Sequence, residues 1–184
     1  RSRTAANALI NISVNLSSVT GRPAKLTIDK GKQFSSSIDG VTYTFRTREA
    51  INASDDGTGL YVFKNAAGSD KISITEGIEK TKTFIVGEKT ERQIYIIPDE
   101  TIDTLTADVK VFESTSSSNF TTFTPLREAI TVDADTTHFS LHESPNGFYE
   151  LNFGDGISFG KSPEPGEKVE VKYLSCKGPL ANNG

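Results

Sequence analysis

Apolar and β-branched residues alternate with polar ones along most of this 184-residue chain, and that period of two limits its fold more than any other feature. Successive side chains of a β-strand point to opposite faces, so the alternation predicts strands with one buried face. Glycine and proline recur at short intervals between the alternating runs, as expected for turns. The sequence therefore predicts a mainly β fold of antiparallel hairpins and β-sandwich-like lobes.

The beginning of the chain is the exception to this pattern. Ala5, Leu9, Ile12 and Leu16 recur at helical spacing, which predicts a short N-terminal helix over about residues 3–18. The same stretch also alternates as a strand would, but its alanines favour a helix.

The domain organisation follows from where strands stop. An N-terminal helical segment, residues 1–20, is expected to precede a first β lobe over residues 21–98. Pro98 ends the last strand of that lobe, because proline cannot donate to a strand ladder. A second β lobe over residues 99–184 would end in a β meander. The sequence leaves open whether the two lobes form one continuous domain.

Two hairpins are expected within the first lobe. Residues 33–37 would pair with residues 41–47 in one hairpin, across a turn at Ile38, Asp39 and Gly40. Residues 82–97 would form another around the turn at 87–89.

Composition excludes several classes of partner. The formal net charge is -4, which gives no electrostatic reason to expect a nucleic acid. No apolar run approaches the roughly 20 residues of a membrane-spanning helix, so no membrane partner is expected. The single cysteine, Cys176, allows no internal disulfide and is expected to act as a small hydrophobe. Both ends resemble cut edges, so we expect a segment of a longer protein.

Candidate catalytic residues are few. The two histidines, His138 and His142, are too few for a zinc site, which needs three or four ligands. Ser140 lies between them and is expected to point to the opposite face, which argues against a nucleophile–base pair. The Asp-rich stretches 55–59 and 133–135 lack the ligand set of a calcium loop and are expected to be turns. The sequence therefore predicts no enzyme activity, no metal and no cofactor.

The region from residue 148 to residue 161 is the most specific part of the chain. A strand, Phe-Tyr-Glu-Leu-Asn-Phe, leads into Gly-Asp-Gly, and Phe-Gly-Lys follows two residues later. The expected structural turn comprises Gly154, Asp155, Gly156, Gly160 and Lys161.

In the order and spacing of these residues the chain resembles the baseplate J-like wedge proteins of contractile-tailed bacteriophages. Within that family it is most similar to a C-terminal portion of the large wedge subunit of T4-like tails. Further blocks that carry the resemblance are residues 6–11, 24–28, 30–34, 43–45, 75–77, 84–86, 93–98, 101–104, 166–169, 171–173, 178 and 181–182.

The resemblance implies a structural function. Such a subunit joins wedges into a ring around the tail hub and rearranges when sheath contraction is triggered. It implies contacts with copies of itself, as a homodimer or in the ring, and with other baseplate wedge subunits. It also implies a place in the virion, in a tail baseplate assembled in the host cytoplasm as a late protein.

Two questions stay open at this level. Phe120, Phe123 and Leu126 flank a polar loop and are candidates for an exposed interaction patch, although entry into the core is the favoured interpretation. An extracellular β-sandwich adhesion module of a bacterial surface protein is the alternative function, and a calcium-dependent gain in stability would favour it.

Overall fold

The structure, a computed structural model, describes residues 2–88 and 93–178. Two parts of the sequence predictions, residue 89 of the expected turn and the block 181–182, lie outside these ranges. The chain divides into two compact units. Of the described residues, unit 1 contains 2–4, 79–88 and 93–176, and unit 2 contains 5–78, 177 and 178. The units divide after residue 78, so the seam that the sequence suggested near Pro98 lies inside unit 1.

Unit 2 is built from eight short strands. A four-stranded antiparallel sheet has the order β1-β8-β5-β4, and two further antiparallel pairs are β2–β7 and β3–β6. The strands are β1 Asn7–Ile10, β2 Ser13–Asn15, β3 Lys25–Ile28, β4 Gln33–Ile38, β5 Val41–Thr47, β6 Ile51–Ser54, β7 Leu60–Val62 and β8 Ile72–Glu76. Their core is centred on Ile51, Tyr61, Phe63 and Ile72, which are almost completely buried.

The prediction of an N-terminal helix is wrong, because strands β1 and β2 occupy that region. Ala8, Ile10, Ile12 and Val14 all pack against the core of unit 2, as every second residue of an extended chain can. Leu9, which the helical spacing required to be buried, is exposed. Burial on a period of two therefore outweighed the helix propensity of the alanines, which is a weak preference.

Unit 1 is a single seven-stranded sheet with the order β10-β14-β13-β12-β11-β15-β9. Its elements are β9 Ile78–Ile85, whose first residue is counted in unit 2, β10 Tyr95–Ile97, β11 Ile102–Phe112, β12 Phe120–Pro125, a 3₁₀ turn Leu126–Glu128, β13 His138–Glu143, β14 Tyr149–Phe153 and β15 Lys168–Ser175. The pair β12–β13 is parallel, whereas β11–β12, β11–β15, β13–β14 and β10–β14 are antiparallel. In the described ranges no helix is long and apolar enough to cross a membrane.

The first predicted hairpin is confirmed. Strands β4 and β5 pair antiparallel across a two-residue turn in which Asp39 has φ 49° and Gly40 has φ 77°. Both turn residues therefore adopt the left-handed conformation that matches the twist of the flanking strands.

The second predicted hairpin and the terminal meander are wrong. Strands β9 and β10 lie at opposite ends of the sheet order, although the rings of Phe84 and Tyr95 meet edge to face at 5.4 Å. Strand β15 pairs with β11 instead of β14, and Val169 and Val171 face Val111 and Val109 across that ladder. Pairing is decided by which buried faces match, and proximity in sequence does not guarantee it.

Candidate functional site

The block that carries the family resemblance forms a closed loop after β14, which we call the glycine loop, residues 154–161. Three main-chain hydrogen bonds close it. Gly154 donates to the Lys161 carbonyl at 3.2 Å, Asp155 to the Phe159 carbonyl at 3.2 Å, and Gly156 to the Gly160 carbonyl at 2.9 Å. The loop is therefore a compact, hydrogen-bonded unit and no strand follows it until β15.

Asp155 holds the tip of the glycine loop with its side chain. Its Oδ1 accepts hydrogen bonds from the N–H groups of Ile157 at 2.9 Å, Ser158 at 2.9 Å and Phe159 at 2.7 Å, and its Oδ2 accepts one from the Ser158 hydroxyl. These donors, the Phe159 N–H first, hold the pKa of Asp155 far below its usual range. Asp155 therefore stays charged and acts as a cap.

Asp155 does not adopt the positive φ that an Asp-Gly hairpin turn would use. Among the described residues the non-glycine position with a positive φ is Asp39. Asp155 suits this position because its side chain accepts hydrogen bonds from the N–H groups of the three residues at the loop tip, as the side chain in an Asx turn does.

The glycines of the loop are explained by close approach. A Cβ on Gly154 would collide with the Gly160 carbonyl, and one on Gly160 would collide with the ring of His138. Gly156 and Gly160 also have φ values of 72° and 82°, where side chains are strained. The spacing of these three glycines therefore allows the two ends of the loop to pass close to each other and to the ring of His138.

His138 forms the floor beneath the loop. It is 2% exposed, and its ring meets the Phe159 ring edge to face at 5.3 Å. Its Nδ1 has no hydrogen-bond partner among the described residues. His138 therefore supports the loop by packing, and no group of three or more His, Cys, Asp or Glu in the described ranges is placed to hold a metal ion.

A second segment, the bracing loop of residues 130–137, fixes the glycine loop from the side. Gly160 donates its N–H to the Asp133 carbonyl at 2.8 Å, and Lys161 donates to the Thr136 carbonyl at 2.9 Å. The Asp133 carboxylate accepts the Thr136 hydroxyl at 2.7 Å and the Asp135 N–H at 3.0 Å, which lowers its pKa. The 3.8 Å ion pair between Lys161 and Asp135 is exposed and adds little.

Together the two loops present apolar side chains to solvent. Ile157 is 81% exposed and Phe159 is 52% exposed at the tip of the glycine loop, and Ile130 on the bracing loop is 99% exposed. Isolated exposed hydrophobic residues are common. Ile157 and Phe159 lie on backbone that is hydrogen-bonded at nearly every step, so their positions are fixed before any partner arrives.

The structure separates the three predicted interaction residues. Phe123 is buried in the core of unit 1, where its ring meets Phe153 at 5.1 Å, and Leu126 is half-buried in the 3₁₀ turn. Phe120 is 48% exposed beneath the ammonium of Lys110, which lies 4.3 Å from its ring centroid. Phe120 and Phe123 are three apart on one strand, so they had to face opposite sides.

The expected orientation of Ser140 is wrong. The Ser140 hydroxyl lies 3.0 Å from Nε2 of His142, because residues two apart on a strand share a face. His142 is exposed, whereas His138 is buried at the start of the same strand. A contact between neighbours on one face follows from strand geometry alone, so it does not by itself indicate a nucleophile and its base.

The turn at residues 55–59 is held by hydrogen bonds to a carboxylate. The Asp55 carboxylate accepts the Arg22 guanidinium at 2.5 Å and the N–H groups of Gly57 and Gly59 at 2.9 Å. The hydrogen bond from Arg22 is the largest of the effects that lower the pKa of Asp55. An arginine therefore already provides the positive charge that a bound calcium ion would supply.

Comparison with known proteins adds no family: no family model matches the chain, and no curated protein matches it.

Proposed function

We propose that this chain is a structural subunit of the baseplate wedge in a contractile phage tail. It joins wedges into a ring around the tail hub and rearranges when sheath contraction is triggered. Support comes from the residues that resemble the baseplate J-like family and from the architecture of the block in which that resemblance is strongest.

The observation that carries the proposal is the construction of the glycine loop. Within the loop, Gly154, Asp155 and Gly156 make three main-chain hydrogen bonds and the Asp155 carboxylate accepts four more, while the Gly160 N–H donates to the bracing loop. The Asp155 carboxylate is therefore occupied by the loop and is not available as a base for a substrate. The residues that resemble the family therefore fix the conformation of the loop, and this conformation exposes Ile157 and Phe159.

A rigid apolar tip suits permanent assembly. Binding loses affinity when loops and side chains must be ordered on contact, and a preformed loop avoids most of that cost. Apolar and aromatic side chains are also enriched at the centre of protein interfaces. The partners we propose are copies of this chain and other wedge subunits, within a virion tail assembled in the host cytoplasm.

The experiment is a binding assay with a matched control. Ile157→Ser removes the most exposed side chain of the tip, and Leu105→Ser removes a side chain that is 60% exposed elsewhere in unit 1. We expect Ile157→Ser to weaken binding to purified wedge subunits of a contractile tail by about tenfold, or roughly 1.4 kcal/mol. Leu105→Ser should bind as the wild type does. Equal effects of the two substitutions, or no binding by the wild type, would contradict the proposal.

A further inference from the structure

The four-stranded sheet of unit 2 ends at β4, and in the described part of the chain no strand pairs with its outer edge. The hydrogen bond from the Thr47 N–H to the Lys32 carbonyl, 3.1 Å, sets the phase of the β4–β5 ladder. Alternate residues of an antiparallel strand turn both main-chain groups to the same neighbour. Lys32 is hydrogen-bonded to β5, so every second residue after it also directs its main-chain N–H and C=O groups towards β5. These are the even-numbered residues of β4. Gln33, Ser35 and Ser37 therefore direct their N–H and C=O groups outwards.

This edge lacks the protection that sheet edges usually carry. Natural proteins blunt an edge with lysine, proline or a very short strand. In unit 1, edge strand β9 contains Lys80 and Lys82, and edge strand β10 has only three residues. In unit 2, edge strand β1 has four residues. Strand β4 has six residues, Gln-Phe-Ser-Ser-Ser-Ile, without charge or proline, and its three serines are exposed.

The outward groups are arranged so that the strand complements itself. Two copies related by a two-fold axis pair antiparallel, and on that axis one residue faces its own copy. If Ser35 is that residue, Gln33 of each copy faces Ser37 of the other. All three of these residues point outwards, and each facing pair can exchange two hydrogen bonds.

The charges at the two ends of β4 fit the same arrangement. Lys32 precedes the strand and Asp39 follows it, and both are exposed. Antiparallel pairing places the Lys32 end of each copy beside the Asp39 end of the other. Parallel stacking would instead bring like charges together, which is destabilising.

We propose that β4 is a self-association edge, at which two copies of this chain pair antiparallel about Ser35 and join their four-stranded sheets into one. This locates the self-association that the proposed function requires, and to that extent rests on it. The side chain at position 35 is small and exposed, so a second backbone can approach without a clash.

Cross-linking tests the register. Facing residues of a hydrogen-bonded pair have Cα atoms about 5.5 Å apart, within disulfide range. We expect Ser35→Cys to give disulfide-linked dimers on mild oxidation. Position 33 of one copy would lie about 14 Å from position 33 of the other, since four residues separate them along the strand. Gln33→Cys is therefore the matched control and should stay monomeric in denaturing gels, whereas Gln33→Cys with Ser37→Cys should cross-link. The native Cys176 is buried and should not compete.

Sedimentation of a proline variant tests the edge itself. The Ser35 N–H points away from β5, so Ser35→Pro removes no bond within the sheet, and edge strands tolerate proline there. We expect the circular dichroism spectrum and melting temperature to be unchanged and the dimer Kd to rise by at least about tenfold.

Several outcomes would overturn the inference. They are a wild-type chain that sediments as a monomer at high concentration, a Ser35→Pro dimer as tight as the wild type, and cross-linking of Gln33→Cys as efficient as that of Ser35→Cys. A monomeric wild-type chain would indicate that β4 pairs with a strand of another protein and not with a second copy. A dimer insensitive to Ser35→Pro rejects the edge but not the wedge function, whereas an edge dimer that binds no wedge subunit rejects the function but not the edge.

Discussion

At the scale of single residues, Gly160 shows how one position controls the glycine loop. Its φ of 82° is strained for any side chain, and a Cβ there would also collide with the His138 ring. Gly166 has a similar φ of 90°, but a Cβ there would meet open space. The two positions therefore separate backbone strain from steric overlap.

This comparison gives the first prediction. We expect Gly166→Ala to lower the free energy of unfolding by about 1 kcal/mol, the cost of a strained backbone alone. Gly160→Ala should cost about 3 kcal/mol, because overlap in a packed region adds to that strain. Urea denaturation of both variants measures the difference. Equal losses would show that the loop can move away from His138 at little cost.

The second prediction concerns a buried carboxylate in unit 1. Asp99 is 8% exposed, and burial alone would raise its pKa. Its hydrogen bonds with Lys80 at 2.8 Å and with Thr101 outweigh burial and lower the pKa from 3.8 to about 2.

Because the pKa of Asp99 is lowered in the folded state, its contribution to stability is present above pH 4 and is lost as the pH falls towards 2. A shift of this size corresponds to about 2 kcal/mol of unfolding free energy. We expect Lys80→Met to remove most of this acid dependence in a urea titration at several pH values. Lys82→Met, two residues along the same strand, should keep it, and an unchanged pH profile for Lys80→Met would contradict the assignment.

At the scale of elements, alternation in the sequence was enough to predict strands and the turn at Asp39 and Gly40. It was not enough to predict which strands are neighbours, since β15 and β14 read as a meander yet lie four places apart in the sheet order. Pairing depends on burial against distant residues, such as Val109 and Val111, which local pattern does not encode. For the same reason the alanines near Leu9 suggested a helix where the core required strands.

The candidate site was predictable to a similar extent. The glycine spacing marked a special turn, but the role of Asp155 as a cap for three N–H groups depends on loop geometry that no spacing rule supplies. Ile157 and Phe159 lie next to the predicted turn residues and were not singled out. The signal available in the sequence was the presence of apolar residues between the glycines of a turn.

The third prediction concerns the Asp-rich turn between β6 and β7. Since Arg22 already neutralises Asp55, we expect added calcium to leave the melting temperature of the chain unchanged. Magnesium at the same ionic strength is the control for charge screening. A calcium-specific rise in melting temperature would contradict this and would favour the extracellular adhesion module over a tail subunit.

At the scale of the whole molecule, two separate surfaces are proposed for assembly: the apolar tip of the glycine loop in unit 1 and the free edge β4 in unit 2. They would bind through different interactions, since the tip offers apolar surface for burial and the edge offers main-chain hydrogen bonds. The fourth prediction is therefore that their effects are independent. Ile157→Ser should leave the Kd of the dimer unchanged. Ser35→Pro should leave the binding of the glycine-loop tip to wedge subunits unchanged, when it is measured at concentrations at which the chain is monomeric. A loss of both activities in either variant would show that the two surfaces are coupled.

The central claim is that this chain is a building block of a tail baseplate, and electron cryo-microscopy of the intact contractile tail that contains it tests that claim most directly. The account predicts baseplate density that fits the folds of units 1 and 2, with Ile157 and Phe159 against a neighbouring subunit. Density that accommodates the chain at no position in the tail, or that leaves the glycine loop in open solvent throughout the ring, would contradict it.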